Sequence, residues 1–488
     1  MNSLDCLLVE GRSYDIAEGS NESILNYCRG SLDKQLIVKA IESMSKSIGE
    51  YSDTFLRISK KIFGFPLKLD TPPPVIKGNR IKAGYWVGVY EYVEKESKSV
   101  VRLIIAPQLR EYRRMLHTVD EVLGKLSEDF KLLTRMLPAS ATSFALLSLI
   151  KLVLLELNRL VEHEPKRFSS LVESPVGEVM EVILAPTPAY KVFKQVFTPN
   201  LKLYLTVVLT LENLGSAVKE LSKLLREAED MEKVIQLSGT DQSYYEGLIE
   251  LVKQYVDEVK SFIKVLVNSA YVQHMLTYYT RHMYEITKLD VYDYLVRTSR
   301  KLRQGLFSSP EGAGAYSRQI LFPSTKLYEL YVYANTVRLY SQKKRVKPEY
   351  KPKLTIAVGN AKFYYNHYPR KLSRVIAAIT TKHRTPRPDI LFYRNSKTVV
   401  IDAKYRKLDS NKPRLLGLPD AERIAAYLLD AVYNDVLQAI VVSLSKPPQE
   451  LVEKARKRIK SLDGKRLNIE FVEMNPDTTV EDITGHLP

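Results

Sequence analysis

Two aspartates and a lysine near the C-terminus have the types and the spacing that cation-assisted phosphate chemistry needs. Asp389 stands just before an apolar run that ends at Arg394, and Asp402 and Lys404 lie in a second run that begins at Lys397. The short polar turn between these runs predicts a β-hairpin. Pairing outward from the turn sets Asp389 opposite Asp402, and strand alternation places Lys404 on the same face.

Opposed carboxylates on neighbouring strands are an arrangement that folding alone does not favour. Directly paired residues have Cβ atoms roughly 5 Å apart, and two carboxylates at that distance repel by about 3 kcal/mol at an effective dielectric of about 20. A divalent cation between Asp389 and Asp402 turns this repulsion into binding, and Mg²⁺ prefers one or two carboxylates completed by water and phosphate oxygens. We therefore predict Mg²⁺ or Mn²⁺ as the cofactor, with the carbonyl of Ala403 as a further candidate ligand. The Lys404 ammonium can orient or deprotonate an attacking water and stabilise the charged phosphorus.

These residues resemble the two motifs of the PD-(D/E)xK nuclease superfamily. Pro388-Asp389 matches the first motif and Asp402-Ala403-Lys404 matches the second. The superfamily often adds an acid from a preceding helix, and Glu329 is the matching residue here; the alternative for Glu329 is a glutamate on a solvated helix face. The resemblance implies phosphodiester hydrolysis by the catalytic residues Asp389, Asp402, Lys404 and Glu329, with Asp389, Asp402, Ala403 and Glu329 as metal ligands.

The chain is strongly basic, with a formal net charge of +17. Such a surplus favours a polyanionic partner, although charge alone does not choose among DNA, RNA and an acidic membrane face. Basic residues beside the proposed centre suit a phosphate backbone, and the alternative is a solvated basic face. The candidate nucleic-acid-binding residues are Arg384, Arg387, Arg406, Lys407, Lys412 and Arg414.

Four further residues near the motifs have open or structural interpretations. Arg387 and Tyr405 are candidates either for phosphate contact or for packing beside the site. Tyr427, on the next predicted helix, and Gln438, at the start of a later strand, are expected to pack rather than to react.

Within that superfamily, the chain is most similar to McrC, the nuclease subunit of modification-dependent restriction systems. The run RPDILFYRNSKTVVIDAKYR resembles the McrC core, and the β segments over 84–89 and 102–107 resemble the region ahead of the McrC helices. The chain departs from the family at Gln108, where a lysine is usual, and ahead of Tyr427, where a glutamine is missing. The resemblance implies DNA as substrate and a McrB-like AAA+ GTPase motor as partner. The 488-residue sequence contains no Gly-x-x-x-x-Gly-Lys-Ser/Thr phosphate loop, so we expect the motor on another polypeptide.

The length and the hydrophobic periodicities predict a multidomain α+β protein. Residues 1–108 form a helical and small β domain, with a helix over 31–63, which we expect to dock the partner. Residues 109–307 form a helical middle domain, with helical spacing over 221–231 and 248–266. A turn-rich linker, SSPEGAGA, leads into a C-terminal α/β nuclease domain of restriction-endonuclease-like type over residues 316–488. Its predicted helices span about 325–340, 420–433 and 449–462, and its predicted strands span 354–358, 362–365, 390–394, 397–405, 439–443 and 467–473. Both strands that carry the acids are apolar on both faces, which predicts interior strands of its sheet.

The compartment is predicted from what the sequence lacks. The two cysteines, Cys6 and Cys28, belong to no metal-type cluster, which disfavours both disulfides and structural zinc and fits a reducing compartment. The N-terminus has no signal-peptide pattern and no apolar stretch is long enough to cross a bilayer. We expect a cytoplasmic protein without a membrane partner.

Two other functions are compatible with these observations. One is a non-catalytic DNA-binding adaptor that stimulates an AAA+ motor, and the intact set of two aspartates and a lysine argues against it. The other is a repair or recombination nuclease, or a ribonuclease, with the same site chemistry. Cleavage assays on the wild type and on site variants distinguish them.

Overall fold

The structure is a computed structural model of the 488-residue chain. It combines α-helices with several β-sheets, as the sequence predicts. The residues that it describes are 3–17, 20, 22–30, 34–94, 97–109, 112–127, 129–130, 133–134, 167–172, 178–183, 189–195, 315–369, 372, 387–407, 418–430, 436–460 and 466–488.

A five-stranded sheet, which we call the N-terminal sheet, forms the first part of the molecule. Its strand order is β11-β6-β7-β1-β3, and β1 and β7 are its parallel pair. Because the side chains of β6 are buried on both faces, this strand belongs to the sheet interior, as its apolar sequence favours. The strands are β1 (Ser3–Val9), β3 (Cys28–Gly30), β6 (Trp86–Glu94), β7 (Val100–Ala106) and β11 (Ala315–Pro323).

Helix α1 (Lys34–Phe63) packs against β6 and β7 of the N-terminal sheet. Its buried side chains recur at alternating intervals of four and three residues, which makes one apolar stripe along the helix. The stripe consists of Ile37, Ile41, Met44, Ile48, Tyr51 and Phe55. The helix predicted over residues 31–63 is thereby confirmed.

A second, small antiparallel sheet is formed by strands from before and after α1. It contains β2 (Ser13–Asp15), β4 (Val75–Lys77) and β5 (Arg80–Lys82), with β5 in the centre. The chain then makes a close approach at Gly84, which has φ +71° and where a Cβ atom would lie 2.6 Å from the carbonyl carbon of Pro73. Only glycine fits there without displacing backbone.

Cys6 and Cys28 occupy paired positions on β1 and β3 and form a disulfide. The expectation that the chain has no disulfide is therefore wrong. The reason is tertiary: the antiparallel register brings together two cysteines that are 22 positions apart, which neither their number nor their spacing reveals.

The middle of the chain contains β-structure where the sequence predicts helix. Strands β8 (Arg167–Val172), β9 (Glu178–Ile183) and β10 (Ala189–Gln195) form an antiparallel sheet in the order β8-β10-β9. The prediction of helix throughout 109–307 is wrong here, because β-branched and aromatic residues are frequent in these runs and favour strands. Helix α2 (Tyr112–Val119) agrees with the prediction, and the predicted helices around residues 221–231 and 248–266 lie outside the described residues.

The chain divides into two compact units. One unit comprises Met1–Phe144, Lys219–Asp257 and Ser309–Pro488, and the other comprises Ala145–Val218 and Glu258–Ser308. The β8–β10 sheet belongs to the second unit. None of the described helices is long and apolar enough to cross a membrane.

A seven-stranded sheet, which we call the C-terminal sheet, occupies the last part of the chain, and its strands lie in sequence order. The strands through β16 are antiparallel neighbours, whereas β16, β17 and β18 are parallel and are connected through α4 (Leu418–Asp430) and α5 (Gln449–Lys460). Parallel neighbours require such crossovers. The strands are β12 (Glu349–Lys351), β13 (Thr355–Val358), β14 (Ala361–Tyr365), β15 (Ile390–Arg394), β16 (Lys397–Lys407), β17 (Val436–Ser445) and β18 (Arg466–Glu473).

Helix α3 (Ser324–Lys344) continues directly from β11 and packs against β13 and β16 of the C-terminal sheet and against α2. It is buried around most of its circumference, because other elements enclose it. Its tyrosines Tyr328, Tyr331, Tyr333 and Tyr340 are buried. The Tyr328 hydroxyl donates to the carbonyl of Met474 at 2.9 Å, which joins α3 to the chain just after β18.

Candidate active site

The β15–β16 hairpin has the register that the sequence predicts. Arg394 pairs with Lys397, and the pairing continues through Ile390 and Ile401. Asn395 and Ser396 both have positive φ, at 47° and 62°, which is the backbone of a tight two-residue hairpin turn. Both strands lie in the interior of the C-terminal sheet, as predicted.

Asp389 and Asp402 lie beside each other at the end of the hairpin remote from the turn. Asp389 Oδ2 accepts a hydrogen bond of 2.8 Å from the backbone N–H of Ala403. Burial, followed by the charge of Asp389, raises the pKa of Asp402 to about 7, although the Lys404 ammonium opposes this shift. Two neighbouring carboxylates in a water-poor environment therefore share this corner of the sheet.

Lys404 projects to the same place. Its Nζ lies 2.7 Å from Asp402 Oδ2 and 3.1 Å from Asp420 Oδ1. Burial alone would lower the pKa of Lys404, but the charges of Asp402 and Asp389 outweigh it and raise the pKa. The side chain is thus a buried ammonium.

Glu329, the helix acid that the sequence suggests, is buried on α3 and forms an ion pair with Lys326 one turn earlier. Burial, followed by the charge of Asp389, raises the pKa of Glu329 to about 8, and Lys326 opposes this shift. Glu329 therefore stands within electrostatic reach of Asp389 rather than on a solvated face. Sequence reasoning missed Lys326, although its spacing of three residues from Glu329 was a usable signal.

Asp420, at the start of α4, is an acid that sequence reasoning also missed. Its carboxylate contacts Lys404, Arg406 at 2.9 Å and Arg423 at 2.5 Å. Burial would raise the pKa of Asp420, but these three cations outweigh it and lower the pKa. Arg406, a predicted nucleic-acid contact, is thus tied to Asp420 with 42% of its side chain exposed.

The segment between α1 and β4 also reaches this region. Arg387, two residues before Asp389, donates a hydrogen bond of 2.6 Å to the carbonyl of Pro66. The hydroxyls of Thr71 and Thr325 lie 2.6 Å apart, which joins the same segment to the first turn of α3. The guanidinium of Arg387 therefore has a partner within the protein.

The remaining sequence candidates either form hydrogen bonds within the protein or lie where the structure does not describe their side chains. Tyr427 donates to the carbonyl of Arg387 at 2.9 Å, and Gln438 donates to the carbonyl of His486 at 2.6 Å, as expected of packing residues. Tyr405 donates to Glu10 at 2.6 Å. Lys407 ends β16, and nothing is described of its side chain; the candidates outside the described residues are Arg384, Lys412 and Arg414.

The residues present suit a hard divalent cation held by two carboxylates. Asp402 Oδ2 is buried and lies 2.7 Å from the Lys404 ammonium, and the Asp389 carboxylate is its neighbour. Within the described part of the chain, no group of three or more His, Cys, Asp or Glu side chains has the arrangement of a metal centre, and Glu329 is paired with Lys326. Two carboxylates nevertheless match Mg²⁺, whose shell is completed by water and phosphate.

Comparisons with known proteins give one family match, and it falls on this region. The family described as "McrBC 5-methylcytosine restriction system component" matches residues 306–421. No curated protein matches the chain. Among solved structures, the chain is similar to the refined half-complex from the tetradecameric assembly of Thermococcus gammatolerans McrB AAA+ hexamers with bound McrC. The identity is 13% over 98% of this chain and 96% of that chain, with a TM-score of 0.35, a likeness too low to bear on fold or function.

Proposed function

We propose that this chain is a Mg²⁺-dependent DNA endonuclease of the PD-(D/E)xK type. The observation that carries the proposal is the meeting of Asp389 and Asp402 on adjacent strands, with the Lys404 ammonium 2.7 Å from Asp402. A surface hairpin with incidental charges would leave Asp402 and Lys404 in water, because burying charge is costly unless it is paired, whereas their side chains are 4% and 11% exposed. The family match over residues 306–421 covers all three residues.

Each residue has a distinct part in this proposal. Asp389 and Asp402, with help from the Ala403 carbonyl, would hold the cation, and a bound ion would supply charge stabilisation and an activated water. The raised pKa of Lys404 keeps it protonated at neutral pH. We therefore assign to Lys404 the stabilisation of negative charge on the phosphoryl oxygens in the transition state, rather than the removal of a proton from water.

We further propose that the chain works as the nuclease subunit of a restriction complex with a McrB-like AAA+ GTPase. The support is the family match, whose description names a 5-methylcytosine restriction system component, together with the resemblance of residues 387–406 to the McrC core. On this proposal the GTPase moves the DNA and this chain cuts it.

The test is cleavage of supercoiled plasmid with and without 5-methylcytosine, using the chain alone and with the candidate GTPase and GTP. Mg²⁺, Mn²⁺ and chelator are compared. We expect Asp402→Asn and Lys404→Met to lower the cleavage rate about 100- to 1000-fold. The matched controls are Glu450→Gln and Lys454→Met, which alter an exposed acid and an exposed lysine on α5 and should cleave like the wild type.

Equal cleavage by the wild type and both site variants would remove the assignment of the centre. DNA binding and GTPase stimulation without cleavage, unchanged in both variants, would replace the nuclease by an adaptor. Cleavage that does not need the GTPase would instead favour a repair or recombination nuclease with the same centre.

A further inference from the structure

Glu10, at the end of β1, is a buried carboxylate that the proposed chemistry does not use. Its side chain is almost fully enclosed, with 1% exposed. Oε1 accepts a 2.6 Å hydrogen bond from the Tyr405 hydroxyl and a 3.0 Å hydrogen bond from the backbone N–H of Gln108. Enclosing a carboxylate costs several kcal/mol unless hydrogen bonds compensate, so its retention there needs an explanation.

The same carboxylate also lies at the start of α3. The Ser324 side chain, the first of that helix, lies near enough to lower the pKa of Glu10, and its hydroxyl donates to the hydroxyl of Tyr112 at 3.3 Å. The first turn of α3 therefore lies beside Glu10.

Tyr405 and Ser324 lie on the same strand and the same helix as proposed catalytic residues. Tyr405 follows Lys404 on β16, and Ser324 stands five residues before Glu329 on α3. The Tyr405 ring also packs on Tyr328 of α3, with ring centroids 5.5 Å apart. One carboxylate from the N-terminal sheet thus contacts the strand and the helix that carry opposite sides of the centre.

We propose that Glu10 is a positioning residue for the nuclease centre. It fixes the end of β16 relative to the first turn of α3, and thereby sets the separation of Lys404 and Asp402 from Glu329. The proposal rests on the proposed function and extends it, because it makes the N-terminal sheet part of the catalytic architecture.

The decisive variant is Tyr405→Phe, which removes only the hydroxyl that donates a hydrogen bond to Glu10. Its matched control is Tyr14→Phe. The Tyr14 hydroxyl accepts a 2.7 Å hydrogen bond from the backbone N–H of Val9, so it too is a tyrosine hydroxyl bonded to the end of β1. The hydrogen bond and the ring contact described for Tyr14 are with Val9 and Tyr27, neither of which lies on β16 or α3. Both variants lose one such hydroxyl and should lose similar stability. We expect only Tyr405→Phe to weaken Mn²⁺ binding in calorimetry, and to lower kcat at unchanged KM for DNA, by about 10- to 100-fold, as removal of groups behind metal ligands does.

Glu10 itself supplies the second comparison. Glu10→Leu should behave like Tyr405→Phe, whereas Glu10→Gln keeps an acceptor oxygen and should restore most of the Mn²⁺ affinity. Wild-type values in Tyr405→Phe, or an equal loss in Tyr14→Phe, would overturn the positioning role. Asp402→Asn is measured in parallel, since unchanged Mn²⁺ binding in that variant would instead refute the proposed centre.

Discussion

At the scale of residues, the candidate site is a set of buried acids with their own cations. Asp402 forms an ion pair with Lys404, and Glu329 forms one with Lys326. Asp420 contacts the same Lys404 and, in addition, two arginines. Breaking a buried ion pair by removing one partner leaves an uncompensated charge, so variants that delete a lysine alone will lose stability as well as activity. The folding of Asp402→Asn and Lys404→Met is therefore checked by thermal melting before their cleavage rates are compared with that of the wild type.

Glu10 gives the clearest pH dependence at this scale. Burial raises its pKa from 4.5 to about 7, against the effect of its hydrogen bonds. Below pH 4.5 the carboxyl is protonated whether the chain is folded or unfolded; between these values the unfolded chain releases the proton and the folded chain keeps it. Stability contributed by the protonated form is therefore complete below the unfolded pKa and is lost as pH rises through the folded pKa.

We expect the stability of the wild type relative to Glu10→Gln to fall by about 3 kcal/mol between pH 4.5 and pH 7. Outside that window the difference should be constant, because the variant carries no titrating group there. Urea unfolding of both proteins across this range measures the difference. A constant difference through the window would show that Glu10 titrates normally in the folded protein.

The residues of the site differ in how far the sequence could predict them. Asp389, Asp402 and Lys404 were accessible because strand alternation and a short turn fix their mutual positions within one hairpin. Lys326 was accessible through helical spacing. The Asp420–Arg423 pair has the same helical spacing, but the contact of Asp420 with Lys404 was not accessible, because Lys404 lies on another element. Glu10 was not accessible either, because 395 positions separate it from Tyr405.

At the scale of elements, hydrophobic runs of one clear periodicity predicted the strands and helices well, whereas regions with mixed periodicity did not. The strands and helices of the C-terminal sheet fall within a few residues of their predicted bounds, since their apolar runs are separated by clear turn signals. Turn signals also separate β8, β9 and β10, namely Ser174-Pro175-Val176-Gly177 and Pro186-Thr187-Pro188, but the helical patterns elsewhere in the middle of the chain obscured them. The Cys6–Cys28 disulfide depended on the register of β1 and β3, which is a tertiary property.

The disulfide should stabilise the N-terminal sheet. It joins an interior strand to an edge strand across 22 positions, and closing a loop of about this length stabilises a fold by about 3 kcal/mol. We expect reduction to lower the melting temperature of the wild type. The double variant Cys6→Ala/Cys28→Ala should melt below the oxidised wild type, close to the reduced wild type, and should not respond to reductant. Equal melting of the oxidised and reduced wild type would contradict this contribution.

At the scale of the whole molecule, the chain returns to its first sheet after the middle region. Strand β11 pairs with β6 from Ala315–Glu94 to Pro323–Trp86 and then continues into α3. The turn-rich stretch before β11 has the composition of a linker between domains, but composition cannot reveal that the next strand completes a sheet formed some 200 residues earlier. The helix with Glu329 therefore begins at the N-terminal sheet.

This topology makes the two ends of the chain mutually dependent. Besides the β6–β11 pairing, Arg114 donates to the carbonyl of Pro476 at 2.9 Å, and Tyr350 donates to Asp129 at 2.6 Å. These contacts, together with the Glu10–Tyr405 hydrogen bond, connect the N-terminal segments with the C-terminal sheet at several separate places. An independent nuclease domain that began at β11 would lose all of them.

We therefore expect the chain to stay together after it is cut between residues 308 and 315. A specific protease site inserted there divides the protein into two fragments, and the nine-residue β11 remains paired with β6 because sheet hydrogen bonds do not require chain continuity. Size-exclusion chromatography of the cut protein should give one peak that contains both fragments, whereas the same sample in urea should separate. Two peaks under native conditions would instead mean that the C-terminal fragment folds by itself, and the dependence of the catalytic centre on the N-terminal sheet would fall with that result.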